Sequence, residues 1–173
     1  AHMVGDHYQA WLCRQFGDEV GQRLYPAMRE FYRLCGERRP EFMGWTQVEL
    51  DKKKYNRGLS PVTGSELSTT AFGNERERYL ERYAIIASRV KDIESLVRPG
   101  LKDAYFTAIK YPVLAAAAHA RKLLHGSEEA YQEIQELTHY YNKEIGNGKW
   151  NGLMDMQPRK LPVFDAPKGE RIF

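Results

Sequence analysis

The sequence predicts an all-α protein: an antiparallel bundle of about five helices, with one long irregular loop and an extended C-terminal tail. Three observations carry that prediction. Apolar residues recur at spacings of three and four through most of the chain. The two-residue alternation of a half-buried strand is nearly absent. Glycine, proline and capping residues divide the pattern into helix-sized pieces.

The first helix is marked by Tyr8, Trp11, Leu12 and Phe16 and is ended by Gly17. The second runs from about Asp18 to Cys35 through Val20, Leu24, Ala27, Phe31 and Leu34. Pro26 lies inside it, where a missing backbone donor and a crowded preceding turn predict a kink or break. Gly36 is the expected stop, and Pro40 prevents resumption.

From Gly44 to Gly73 periodicity disappears, and Gly58, Pro61, Gly64 and Gly73 argue for a long excursion. The segment holds Trp45, Val48, Leu50, Tyr55, Leu59, Leu67 and Phe72, so it is expected to pack on the bundle or on a neighbouring domain.

Asn74 is a good N-cap for the third helix, with Glu77 three residues on as in a capping box. Tyr79, Tyr83, Ile86, Val90, Ile93 and Val97 then define one face, and Arg98-Pro99-Gly100 closes it. The fourth helix, about Leu101 to Leu124, presents Ala104, Tyr105, Ala108, Ile109, Val113, Ala116, Ala117, Ala120 and Leu123, with a bend at Pro112. Small side chains at Ala115 to Ala118 allow a neighbour to approach closely. Ser127 caps a fifth helix whose inward residues are Tyr131, Ile134, Thr138, Tyr141 and Ile145, ending at Gly146. The tail, with Pro158, Pro162 and Pro167, should dock through Trp150, Leu153, Met154 and Phe164.

The domain reading follows: residues 1–3 (Ala1-His2-Met3) are a cloning scar, 4–157 the helical bundle, and 158–173 an extended tail or linker. At 173 residues, 42% hydrophobic and 28% charged, the chain is long enough and apolar enough to bury one core. A net charge of +3, with both signs interleaved as in Glu75-Arg76-Glu77-Arg78, gives no phosphate-tracking stripe. Lys52-Lys53-Lys54 is the one tight basic run and reads as a solvated loop face, so nucleic acid is not expected as a partner. No apolar run approaches the roughly 18 residues of a membrane span, so no membrane partner is expected either.

The chemistry-bearing residue types form no site. Glu128, Glu129, Glu133 and Glu136, like Glu75, Glu77 and Glu81, sit among polar neighbours and read as surface charge rather than as a glycosidic acid pair. His119 and His125 are six apart and fall on different sides of a helix, while His139 is in another element. With no paired His or Cys motif, neither metal nor cofactor is expected. Cys13 and Cys35 fall near opposite ends of a hairpin and are expected to be buried thiols that do not bridge. Gly146-Asn147-Gly148-Lys149 follows a helix rather than a strand and continues with Trp150, so it is not a phosphate loop. Trp45 and Trp150 lie outside the helices, and are the candidate contacts with sugar or with another domain.

Particular residue runs add a resemblance. Tyr141-Asn142 followed by Gly148-Lys149-Trp150-Asn151 resembles the segment ending the helical domain of family 115 glycoside hydrolases, the xylan α-glucuronidases. Phe16-Gly17, Gly36-Glu37-Arg38-Arg39-Pro40-Glu41-Phe42, Tyr105-Phe106 and Tyr111-Pro112-Val113 also resemble that family, in order, so the likeness covers nearly the whole chain. Two departures stand out. His125-Gly126-Ser127 is a shorter connection than the family's, and Trp150-Asn151-Gly152-Leu153-Met154 replaces the family's Trp-Asn-His-Met-Met, leaving its histidine without a counterpart.

The resemblance implies a noncatalytic scaffold, with the catalytic carboxylates on a preceding (β/α)₈ barrel and a β-sandwich following. The parent enzyme would release glucuronic acid or its 4-O-methyl form from xylan, and kinship suggests a periplasmic or extracellular setting. From other classes, the alternatives are a carbohydrate-binding module, with a xylan oligosaccharide as ligand, or a helical protein-interaction domain.

Overall fold

The computed structural model describes residues 2–39, 43 and 67–167. Among them the regular structure is all helical, and there is no strand. Helix α1 (His2–Phe16) begins within the three residues read as a scar. It turns at Gly17, whose φ of 95° is accessible to glycine and whose N–H donates to the Cys13 carbonyl at 2.8 Å. Helix α2 (Asp18–Glu37) packs along α1 and then along α3 (Glu75–Ile93). The fourth rod comprises α4 (Lys102–Tyr105), a π-helical turn (Phe106–Lys110) and α5 (Tyr111–His125). Helix α6 (Glu128–Lys143) returns along α5, which also packs on α3.

Pro26 does not break α2. The carbonyl it leaves without a donor belongs to Gln22, and both residues face solvent, where water can replace the lost bond. Nor is Gly36 the stop: it lies within α2, which ends as Arg38 turns extended (φ −147°). At the start of α3 the Asn74 side chain caps the Glu77 N–H at 3.3 Å, but the Glu77 carboxylate turns to His125 and Arg76 instead of closing a reciprocal box.

The stripe expected on α3 forms the centre of the core: Tyr79, Tyr83, Ile86, Val90, Ile93 and, beyond the helix, Val97 are all buried. The Tyr105 hydroxyl donates to the Val90 carbonyl at 2.7 Å, so a buried aromatic also ties the fourth rod to α3. Burial pushes the proton affinity of that phenol up, and brings Tyr79 to about 12.

The fourth rod differs in detail from an ideal helix. Tyr111 donates to Phe106, five residues back, immediately before Pro112. Widening this turn accommodates a residue that cannot donate to Ala108 and whose ring would crowd that carbonyl. The extra residue shifts the phase, so Ala104 and Ala108, expected inside, are exposed, whereas Tyr105, Phe106 and Ile109 are buried. The Thr107 hydroxyl donates to the Asp103 carbonyl at 3.0 Å, taking up part of the disturbed ladder.

Most of the expected 44–73 excursion, with Val48, Leu50, Tyr55, Leu59 and Lys52-Lys53-Lys54, lies outside the described residues. At its end Leu67 packs on the core, while Phe72 is 78% exposed. No described helix is long and apolar enough to cross a membrane.

Candidate functional site

Of the two candidate contact residues, Trp45 lies outside the described residues. Trp150 sits on a loop built where α6 ends. Gly146 (φ 56°), Asn147 (φ 56°) and Gly148 (φ 77°) are successive left-handed residues, which reverse the chain in a very short space. Glycine takes this conformation freely and asparagine more readily than most residues. Four short backbone bonds follow: Asn147 to Glu144, Lys149 to Gly146, Asn151 to Gly148 and Leu153 to Trp150, at 2.9 to 3.2 Å.

Polar groups then fix this loop to the bundle. The Gly146 N–H donates to the Asp103 carboxylate of α4 at 3.0 Å. The Asn142 amide grips the backbone of Met154 twice: its Nδ2 donates to the Met154 carbonyl at 2.8 Å, and its Oδ1 accepts the Met154 N–H at 3.0 Å. Met154, Leu161 and Phe164 pack on the core and Val163 is buried. Docking of the tail therefore falls to these residues and not to Trp150 or Leu153, which remain 42% and 58% exposed. The Lys149 ammonium lies 4.8 Å from the centre of the Trp150 ring.

Lys122 carried no signal as a site residue in the sequence, yet it organises the rest of the tail. It is 3% exposed and donates to the carbonyls of Val163 at 2.8 Å and Asp165 at 3.1 Å. Phe164 meanwhile lies against His119, with ring centres 5.7 Å apart. The tail thus closes one side of a largely apolar cleft of about 600 Å³. Its walls come from Phe31 and Cys35 of α2, Tyr111 and Ala115 of α5, Thr138 of α6 and Met156 of the tail. Cys13 and Cys35 form no disulfide, and both are half-buried rather than fully enclosed as expected.

Four glutamates are held in their charged form by hydrogen bonds. Hydrogen bonding from Arg33 and Arg82 holds Glu30 at about 2 despite the opposing effect of burial. Hydrogen bonds from Arg82 lower Glu37, and one from His125 lowers Glu77. At the start of α6, Glu129 is lowered by its own backbone N–H and by Ser127. Glu133 pairs with Lys91 and Arg121, while Glu128 and Glu136 are exposed. A general acid needs a shift in the direction opposite to those of Glu30, Glu37, Glu77 and Glu129. Among the described residues, no three His, Cys, Asp or Glu side chains converge as metal ligands would. His119 is buried, His139 exposed, and the His125 Nε2–H donates to the Glu77 carboxylate at 2.9 Å.

No family model matches the chain, and no curated protein does. Among solved structures, the chain is similar to a family GH115 4-O-methyl-α-glucuronidase described as having specificity for decorated arabinogalactans. The two are 37% identical with a TM-score of 0.79, and the match covers 96% of this chain but 22% of that one. Both the fold and the family resemblance expected from the sequence are thereby found: nearly the whole chain is similar to a part, about a fifth, of a family 115 glycoside hydrolase.

Proposed function

We propose that this domain is a noncatalytic brace within an α-glucuronidase-like hydrolase, which removes glucuronic acid or its 4-O-methyl form from plant polysaccharide. The observation that carries the reading is the partial match: nearly all of this chain aligns with about a fifth of a 4-O-methyl-α-glucuronidase. The downward-shifted carboxylates support it, because glycosidic cleavage needs a carboxyl that holds its proton, facing a second one across a cleft. Barrel and β-sandwich domains of the same enzyme would be the partners braced. The resemblance in sequence points to xylan, and the structural relative is described with decorated arabinogalactans; 4-O-methylglucuronic acid is the unit the proposal takes as common to both.

Incubation with glucuronoxylan and with glucuronic-acid-bearing arabinogalactan tests this. The isolated domain is expected to release no acid from either, and the complete gene product to release it from at least one. Release by the isolated domain that disappears on substitution of one of its carboxylates would overturn the proposal.

A further inference from the structure

The loop from Gly146 to Met154 is held in place by groups other than its largest side chains. Asn142 fixes the backbone at Met154, Asp103 fixes it at Gly146, and three left-handed residues set its course. Trp150 and Leu153 take no part in the clamps, and both stay substantially exposed on the ordered loop. A chain reversal needs neither residue, because polar side chains would complete the same backbone bonds without exposing apolar surface. A pre-ordered aromatic and a leucine, presented together, are instead the form of a protein-binding anchor: little conformational entropy remains to be lost when they are covered.

We infer that Trp150 and Leu153 form a preformed knob that seats in an apolar pocket on the remaining body of the parent hydrolase, a pocket with a carboxylate at its rim facing Lys149. The inference rests on the function proposed above. The match covers 22% of the related chain, so most of that protein lies outside the matched part and is available to cover the knob. Lys149, poised over the indole, supplies the charge that the rim must complement.

The test compares Trp150→Ser/Leu153→Ser with wild type, both in the complete gene product and in the isolated domain. In the complete product, calorimetry should show the helical domain uncoupling into its own transition, at least about 5 °C lower, with new cleavage by protease at its edges. The isolated double variant should melt within about 1 °C of the isolated wild type. A large loss in the isolated domain would overturn the inference by making the knob part of the bundle's own fold. An unchanged complete product would overturn it by showing the knob undocked. Shifts of the Trp150 indole resonance with 4-O-methylglucuronic acid, or concentration-dependent dimerisation of the isolated domain abolished by the double variant, would replace the occupant with a sugar or a second copy. A gene product with no further domain would instead remove the proposed parent enzyme, a failure distinct from that of the knob.

Discussion

Gly21 of α2 lies so close to Cys13 of α1 that a β-carbon there would stand 2.4 Å from the Cys13 backbone nitrogen and 2.5 Å from its Cα. No rotamer change relieves an overlap with backbone, so the two helices would have to separate. Leu12, Phe16, Val20 and Leu24, buried beside this crossing, would lose packing as they did. Gly21→Ala should therefore destabilise by about 1 to 3 kcal/mol, although alanine is the better helix former. Gly36, in the same helix, has open space where a methyl group would go, and is the control: Gly36→Ala should be neutral or stabilise by up to about 1 kcal/mol. Urea melts of both variants check this, and equal effects would show that the close crossing does not limit stability.

On α3, Ile86 is 1% exposed and Arg89 points to solvent. Ile86→Ala should cost about 2 to 5 kcal/mol through lost burial and the cavity left behind. Arg89→Ala should cost less than about 0.5 kcal/mol. Similar losses from the two would mean that the core face of this helix is misplaced.

The pairs from Arg82 to Glu30 (2.6 Å) and Glu37 (2.7 Å) join α3 to α2. Both carboxyls bind a proton less readily in the folded chain than the ordinary value of 4.5, Glu30 down to about 2. Their contribution to stability is therefore complete above the ordinary carboxylate range and is lost as pH falls from there through about 2. Partial exposure and salt screening keep it modest. Arg82→Gln should raise the pH at which acid unfolding begins, less so in high salt, as followed by circular dichroism. Arg33 is the larger hydrogen-bonding influence on Glu30, so part of that group's shift should survive. An acid profile superimposable on that of the wild type would show the cross-helix pairs to be energetically silent.

Truncation after Gly146 removes the burial of Val163 and the packing of Met154, Leu161 and Phe164, and leaves Lys122 without its contacts to Val163 and Asp165. The melting temperature should fall by roughly 5 °C or more, since a loss of a few kcal/mol in a chain of this size shifts it by that amount. Lys122→Ala should reproduce part of the fall and open residues 158–165 to hydrogen exchange. An unaltered melt of the truncated chain would mean that the tail adds nothing to the bundle.

The helices were legible because each has a face that must be buried, and the Tyr83, Ile86 and Val90 spacing admits one reading. The fourth rod was legible in outline only. Pro112 signals a disturbance but not its form, and assuming one uninterrupted helical phase places Ala104 and Ala108 on the wrong side. At the candidate surface, hydrophobicity alone assigned Trp150 to the interior. What holds the loop is a pair of bonds from Asn142 to a backbone twelve residues away, a geometry with no composition signature. Lys122 is as illegible: it is a buried lysine whose acceptor, the Val163 carbonyl, lies 41 residues further along the chain.

The π-helical turn gives the fourth rod one residue more than its length requires. Elsewhere in a helix, losing a single residue rotates everything downstream by about 100° and turns the core face outward. Here the exposed Ala108 occupies the surplus position, so its loss would draw the wide turn into an ordinary one and leave the buried faces on either side aligned. Along this rod, deletion of one residue thus has a place where it changes local shape without changing which side chains face the core.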